Sequence, residues 1–432
     1  MVSWVNQIED LAQQGNWSTV VQALQHHHQT SDWTQLSVDE IAALVSFAIA
    51  VLKLGDFQEC WDVAKIFPGF GEAAISPLIT LVKDEDEEPE TRWFAVRLLS
   101  DAKHPAAIQA LVELLNSEED DLREMASEAL AKFGTRAIAP LTDLLSASET
   151  RLLAVQALTQ IRHSATIAPL LTVVQDEDST IRAMAIEALG SFHDLQVPPV
   201  LIQALTDLAA PVRRAAIAGL AVRTDLTDEL GLVSLLSNLL WDLNISVCQQ
   251  AAIALGRIGT DAAVNALSRA IASANTSASL QIEIVRALAW IATPFAFNVL
   301  ISLLDNPSCQ PAQVDQEIVI ALGRWNDPSL KGAAAQALTR SLIPFAQDSL
   351  IQQAIALALG QLQQPSTVDP LIQLLASQDA GVQLHAIAAL KQIQPQQTHQ
   401  QLAALQANPD ISPELCHGIA IALQEWQIEL PQ

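Results

Sequence analysis

The chain has 432 residues, half of them hydrophobic and only 16% charged, a content that excludes disorder and supports a long continuous core. Its 22 Lys and Arg face 48 Asp and Glu, giving a formal charge of −26 and a pI near 4.5. That balance disfavours generic binding to phosphate backbones and anionic membranes, and leaves a basic or weakly polar protein as the partner most easily accommodated.

The opening Met1-Val2-Ser3-Trp4-Val5-Asn6-Gln7 lacks the basic start and apolar run of a secretory signal. No later segment offers the roughly 18 apolar residues of a spanning helix, so a cytoplasmic chain without membrane insertion is expected. Residues 1–67 read as two helical hairpins forming a cap, with Ser37-Val38-Asp39-Glu40 as a capping box. His26, His27 and His28 are consecutive, so on one helix they point around it and cannot converge on a metal. Leu54-Gly55-Asp56-Phe57-Gln58-Glu59-Cys60-Trp61 resembles the helix–turn–helix of a tetratricopeptide unit, which implies that Gly permits the turn and the aromatic packs between helices. Phe67-Pro68-Gly69-Phe70-Gly71 supplies boundary turn residues.

From residue 72 to 429 a helical signature recurs, anchored by Leu99, Leu130, Leu158, Leu189, Leu220, Leu255, Leu288, Leu322, Leu359, Leu390 and Leu423. Subtracting neighbours gives spacings of 31, 28, 31, 31, 35, 33, 34, 37, 31 and 33, one helical hairpin per period. The expected fold is therefore all-α, an α-solenoid of about eleven hairpins behind the N-terminal cap. First helices open with apolar-x-Pro-apolar, as in Ile75-Ser76-Pro77-Leu78, Ile138-Ala139-Pro140-Leu141, Ile167-Ala168-Pro169-Leu170 and Val368-Asp369-Pro370-Leu371. Proline suits a first helical turn, where the N–H has no intrahelical acceptor. Second helices place apolar residues at helical spacing, as in Ile181, Ala185, Ile186, Ala188 and Leu189. Gln424, Glu425, Gln427 and Glu429 give the last helix a polar outer face suited to a terminal repeat.

The Pro-opened first helix, the acidic turn and the Arg-x-x-Ala-hydrophobic-x-Ala-Leu-Gly second helix resemble HEAT repeats, especially the short type of phycobilisome lyase proteins. Residues 181–190 and Ala252-Ile253-Ala254-Leu255-Gly256-Arg257-Ile258-Gly259 carry that resemblance best. It implies a non-enzymatic scaffold, adaptor or assembly factor for a protein client, such as a phycobiliprotein or photosynthetic component in the cytosol of a photosynthetic prokaryote. The alternative it implies is a subunit of a bilin lyase, whose groove would hold a linear tetrapyrrole.

Seven residues before the first five anchors stand Arg92, Arg123, Arg151, Arg182 and Arg213. The resemblance implies a structural ladder, each Arg reaching the acidic turn of a neighbouring unit. The position then becomes Cys248, Gln281, Asp315, Gln352, Gln383 and Cys416, so curvature or rigidity should change after about residue 230. Two residues before the anchors, Arg97, Glu128, Gln156 and Glu187 give way to Ala218, Ile253, Arg286, Ile320, Leu357, Ala388 and Ile421. This stripe is either an apolar groove, with Trp290, Trp325 and Phe345 as aromatic anchors, or core buried by repacking. An acidic edge is expected from Asp84, Glu85, Asp86, Glu87, Glu88 and Glu90 together with Glu118, Glu119, Asp120 and Asp121. Its charges are either simply solvated or steer a basic partner.

Cys60, Cys248, Cys309 and Cys416 are scattered through repeats whose helices pack about 8–10 Å apart, which suits neither a disulfide nor an iron–sulfur or zinc site. There is no Gly-rich phosphate loop, no G-x-S-x-G, no H-E-x-x-H and no tyrosine, so no catalytic residue, cofactor or metal site is assigned.

Overall fold

The computed structural model describes residues 3–30, 33, 36–306 and 311–427, of which the side chains of Ser3, Trp4 and Gln427 are not described. Cys309 and Glu429 lie outside the described residues, as does the side chain of Gln427; Gln424 and Glu425 are exposed. Among the described residues there is no strand, and the fold is an α-solenoid. Two compact units emerge, Met1–Val200 and Leu201–Gln432.

The first unit begins with helices Ser3–Gln13, Trp17–Thr30, Val38–Leu54 and Phe57–Ala64. Ser37 and Glu40 form the capping box expected at the third. A second box, Asp56 with Glu59, opens the fourth and turns the chain sharply after Gly55. Phe67–Phe70 is not a loose boundary turn: it is helical, with Phe67 and Phe70 buried and Phe70 stacked on Trp33 at 4.7 Å. Four hairpins follow, pairing Ile75–Lys83 with Pro89–Ala102, Ala106–Leu114 with Asp120–Lys132, Thr135–Asp143 with Ser148–Gln160, and Ile167–Leu171 with Ser179–Leu189. Val38–Leu54 and Phe57–Ala64 pack directly on the first of these.

In the second unit the second helices are Ala210–Ala221, Ile245–Ile258, Ala278–Ile291, Ala312–Gly323, Ser349–Leu362, Ala380–Gln392 and Pro413–Gln427. Consecutive ones from Ala210 to Gln392 lie against each other. Every anchoring leucine from Leu99 to Leu390 is fully buried, and Leu423 nearly so. Truncating one to Ala costs about 2–5 kcal/mol, so the anchors and their alanine neighbours hold each layer to the next.

Pro77, Pro169 and Pro370 fall in the first turn of their helices, as the sequence predicts. Pro140 does not. Its helix starts at Thr135, which puts Pro140 inside, and the helix gives way at Asp143 to a tighter 3₁₀ turn over Leu144–Ser146.

Glycines after three anchors let the later second helices approach backbone to backbone. A Cβ on Gly256 would sit 3.0 Å from Ala287 Cβ, one on Gly360 2.9 Å from Ala389 Cα, and one on Gly323 2.5 Å from Ala358 Cβ and 2.7 Å from its Cα. Each pairs the residue after one anchor with the residue before the next. No side chain fits between them.

No single helix among the described residues is long and apolar enough to cross a membrane; the bent pair Phe57–Ala64 and Phe67–Lys83 meets that measure only jointly.

Candidate protein-binding surfaces

The arginine register performs two tasks at once. Arg151 donates from Nε to the Leu145 carbonyl at 2.7 Å, closing its own hairpin turn, and from Nη1 to Asp176 of the next hairpin at 2.9 Å. Arg213 gives Nη1 to the Asp207 carbonyl at 2.7 Å and grips Asp242 with Nε and Nη2 at 2.8 and 2.6 Å. Arg92 reaches Glu119 at 2.7 Å and the Val82 carbonyl at 3.2 Å. Arg182 bonds the Asp176 and Glu177 carbonyls of its own turn at 2.8 and 3.1 Å. Arg123 departs from the expected ladder. It pairs with Asp120 in its own helix, because the next turn, Ser146-Ala147-Ser148, has no carboxylate to receive it.

Beyond Asp242 shorter side chains keep the local task. Cys248 Sγ lies 3.2 Å from the Asp242 carbonyl, Gln352 Nε2 donates to Ala346 at 3.2 Å, and Gln383 Nε2 to Ser377 at 2.7 Å, all six residues back like Arg151, Arg182 and Arg213. Gln281 donates to the Ile271 carbonyl at 3.4 Å. The bridge to the next hairpin passes to a neighbour: Gln353 Nε2 donates to Asp379 at 3.1 Å. Asp315 puts a buried carboxylate in the register, and Cys416 is half-buried.

Burial opposes the charge on Asp242, but hydrogen bonds from Arg213 and the Asn244 amide outweigh it and hold the carboxyl below its ordinary range. The Cys248 thiol is pushed up by burial and by Asp242 beside it, and that of Cys60 rises to about 11, chiefly by burial. Neither is a poised nucleophile.

The acidic turns are not uniformly free. Glu87 pairs with Lys53, Glu119 with Arg92 and Asp120 with Arg123. Glu85 and Glu118 line one groove together with Lys83, Arg92 and Glu113, so the first two turns do meet along an edge, but cations are built into it. Asp84, whose side chain accepts from the Asp86 amide, is half-buried, while Asp86, Glu88, Glu90 and Asp121 are exposed.

A second open groove, of about 740 Å³, has an aromatic floor. Phe57, Pro89, Trp93 and Leu122 line it with Glu90, Glu119, Asp120 and Asp121. Phe57 is 57% exposed rather than packed between its helices, since Trp61 and Phe94 meet only part of its ring.

In the second unit the stripe before the anchors is neither core nor fully exposed. Ile253, Ile320 and Ile421 are half-buried and Leu357 is 42% exposed, joined by Leu384 at 56%. Arg286 interrupts it, paired to Glu317 at 3.0 Å and to Glu283 at 3.7 Å. Trp290 is exposed at 75%, with Phe295 partly exposed. Trp325 is not a surface anchor. It is 4% exposed, and its ring packs on Phe297 at 5.0 Å; Phe345 is buried as well. Place in the hairpin decides this: Trp290 stands on its helix, whereas Trp325 lies past the end of its helix at Gly323, where the chain turns and sets the ring against Phe297.

A family model for HEAT repeats matches residues 75–152, 146–221, 231–311, 299–391 and 339–423. The chain belongs to the HEAT-repeat family. Among solved structures, this HEAT-repeat chain is similar to importin beta crystallised in an ammonium sulfate condition, with a TM-score of 0.55 and 14% identity over 98% of this chain and 64% of that one. It is also similar to Kap121p bound to Pho4p, with a TM-score of 0.59 and 15% identity over 92% of this chain and 51% of that one, and to Kap121p bound to Ste12p at 0.58 and 14% over 90% and 50%. The HEAT-repeat chain thus spans half to about two thirds of these proteins' length, and the likeness is one of fold. No curated protein sequence matches it.

Proposed function

We propose that this HEAT-repeat chain is a non-catalytic scaffold that holds a protein client on the exposed face of its later second helices. The observation that carries this reading is the row Ile253, Ile320, Leu357 and Leu384, apolar side chains left partly open on helices that lie side by side. Such a row with Trp290 near it supplies the apolar and aromatic contacts on which binding energy concentrates. That Kap121p, of similar fold, was solved with Pho4p and with Ste12p bound supports a protein client.

Affinity capture with the full chain followed by mass spectrometry identifies the client. Ile320→Glu and Leu357→Glu are expected to lose that same client while the chain still melts cooperatively. Retention of the client by both variants, or loss of cooperative melting in both, overturns the proposal.

A phycobiliprotein or other photosynthetic client in the cytoplasm is the finer reading, supported only by the resemblance of repeats such as residues 181–190 to the phycobilisome lyase type. A pigment-handling role would show as a perturbed visible spectrum when a linear tetrapyrrole is mixed with the purified chain; an unchanged spectrum leaves the scaffold reading.

A further inference from the structure

A cation already lies among the aromatic rings beside the Phe57 groove. The Arg97 guanidinium carbon stands 4.2 Å from the Trp61 ring centroid and 5.6 Å from that of Trp93, so one intramolecular arginine lies within cation–π reach of both. Trp61 stacks on Phe57 at 6.1 Å and 23°, and the groove is lined by Phe57 and Trp93 themselves. The aromatic row therefore continues from an occupied cation site into an open one.

Charge selects the occupant of that open end. Of the four carboxylates on the groove, Glu119 and Asp120 are engaged by Arg92 and Arg123. Glu90 and Asp121 are exposed and make no ion pair among the described residues. Anions are repelled here, and a neutral apolar segment would leave both carboxylates facing it without compensation. A guanidinium meets every demand of the groove, since it stacks flat on an aromatic face while its N–H groups reach carboxylates at the rim. The net charge of −26 steers the same class of partner toward the chain.

We propose that the groove between Phe57, Trp93, Glu90 and Asp121 docks an arginine-bearing segment of a protein partner. The site lies in the first unit, so it adds to the scaffold reading without depending on the later helices.

The test is fluorescence anisotropy of a labelled peptide with arginines spaced by glycines, titrated with the full chain, beside the same peptide carrying citrulline. Saturable binding is expected for arginine, with the citrulline peptide about tenfold weaker because the charge is gone. Phe57→Ala and Asp121→Asn should each weaken binding by about three- to fivefold, the range of an exposed cation–π or ion-pair contact. The double variant Glu85→Gln with Glu118→Gln removes two charges from the neighbouring groove and should change affinity by less than about twofold. Phe57 is largely exposed, so its variant tests binding with the fold intact. Absence of saturable binding, wild-type affinity in Phe57→Ala, or equal losses in Asp121→Asn and the Glu85/Glu118 double variant would each overturn the proposal, the last by showing a diffuse field. Ile320→Glu should bind the peptide normally, which separates failure here from failure of client capture.

Discussion

Two stretches of this chain solve the same stacking problem by different chemistry. Between Arg92 and Asp242, Arg92, Arg151, Arg182 and Arg213 close their own turns, and Arg92, Arg151 and Arg213 also grip a carboxylate of the next hairpin. From Ile245 onward Gln and Cys close the turn, and glycines at 256, 323 and 360 press second helices against Ala287, Ala358 and Ala389. Arginine ties the turns together, and glycine, on the far side of the anchor, brings the backbones together. The lesson is that one repeat geometry is held by side-chain bridges, by close backbone contact or by both, while the exposed face changes alongside, from mostly charged in the early repeats to a partly open apolar row in the later ones.

Breaking the strongest charged bridge should have the largest effect. Asp242→Ala leaves the half-buried Arg213 guanidinium without its carboxylate and is expected to cost about 3 kcal/mol, read from urea melts. The same contribution should fade in acid. Because the folded carboxyl of Asp242 sits below its ordinary range, its stabilisation is complete above the unfolded value of about 3.9 and is lost as pH falls through the folded one. The gap between wild type and Asp242→Ala should therefore be wide at neutral pH and narrow under strongly acidic conditions; a gap that does not narrow would assign the loss to packing.

Next in size, Gly323→Ala forces a methyl onto the Ala358 backbone and should destabilise by about 1–3 kcal/mol. Gln353→Ala removes an uncharged donor to the Asp379 carboxylate and should cost only about 1 kcal/mol, well short of the Asp242 variant if bridging matters less in the later repeats. Smallest, and of opposite sign, Gly332→Ala meets nothing within 4 Å on its helix and should stabilise by about 0.5–1 kcal/mol. Equal losses from Gly323→Ala and Gly332→Ala would dissolve the distinction between close-packed and open glycines.

Much of the architecture was legible because it repeats. The eleven leucines mark buried positions, and the Ser37 box and the prolines at 77, 169 and 370 behave as local rules require. The glycines after Leu255, Leu322 and Leu359 were visible in the Ala-Leu-Gly pattern, but their task was not, because it depends on which backbone lies opposite. Likewise Asp56-x-x-Glu59 was a readable capping box overshadowed by the adjacent Gly55. Surface and core were harder to separate. Trp290 and Trp325 have the same composition-level meaning and opposite exposure, since the first still stands on its helix and the second lies in the turn beyond one. The Phe57 groove joins three sequence-distant segments, and no spacing within any of them announces it.

Hydroxyl-radical footprinting of the chain with its captured client bears most directly on where that client sits. Leu357, Leu384 and Trp290 should lose reactivity in the complex, while the still more open Ile343, in the turn between helices Pro328–Ser341 and Ser349–Leu362, keeps it. Protection of Ile343 with Leu357 and Leu384 unchanged would contradict the account.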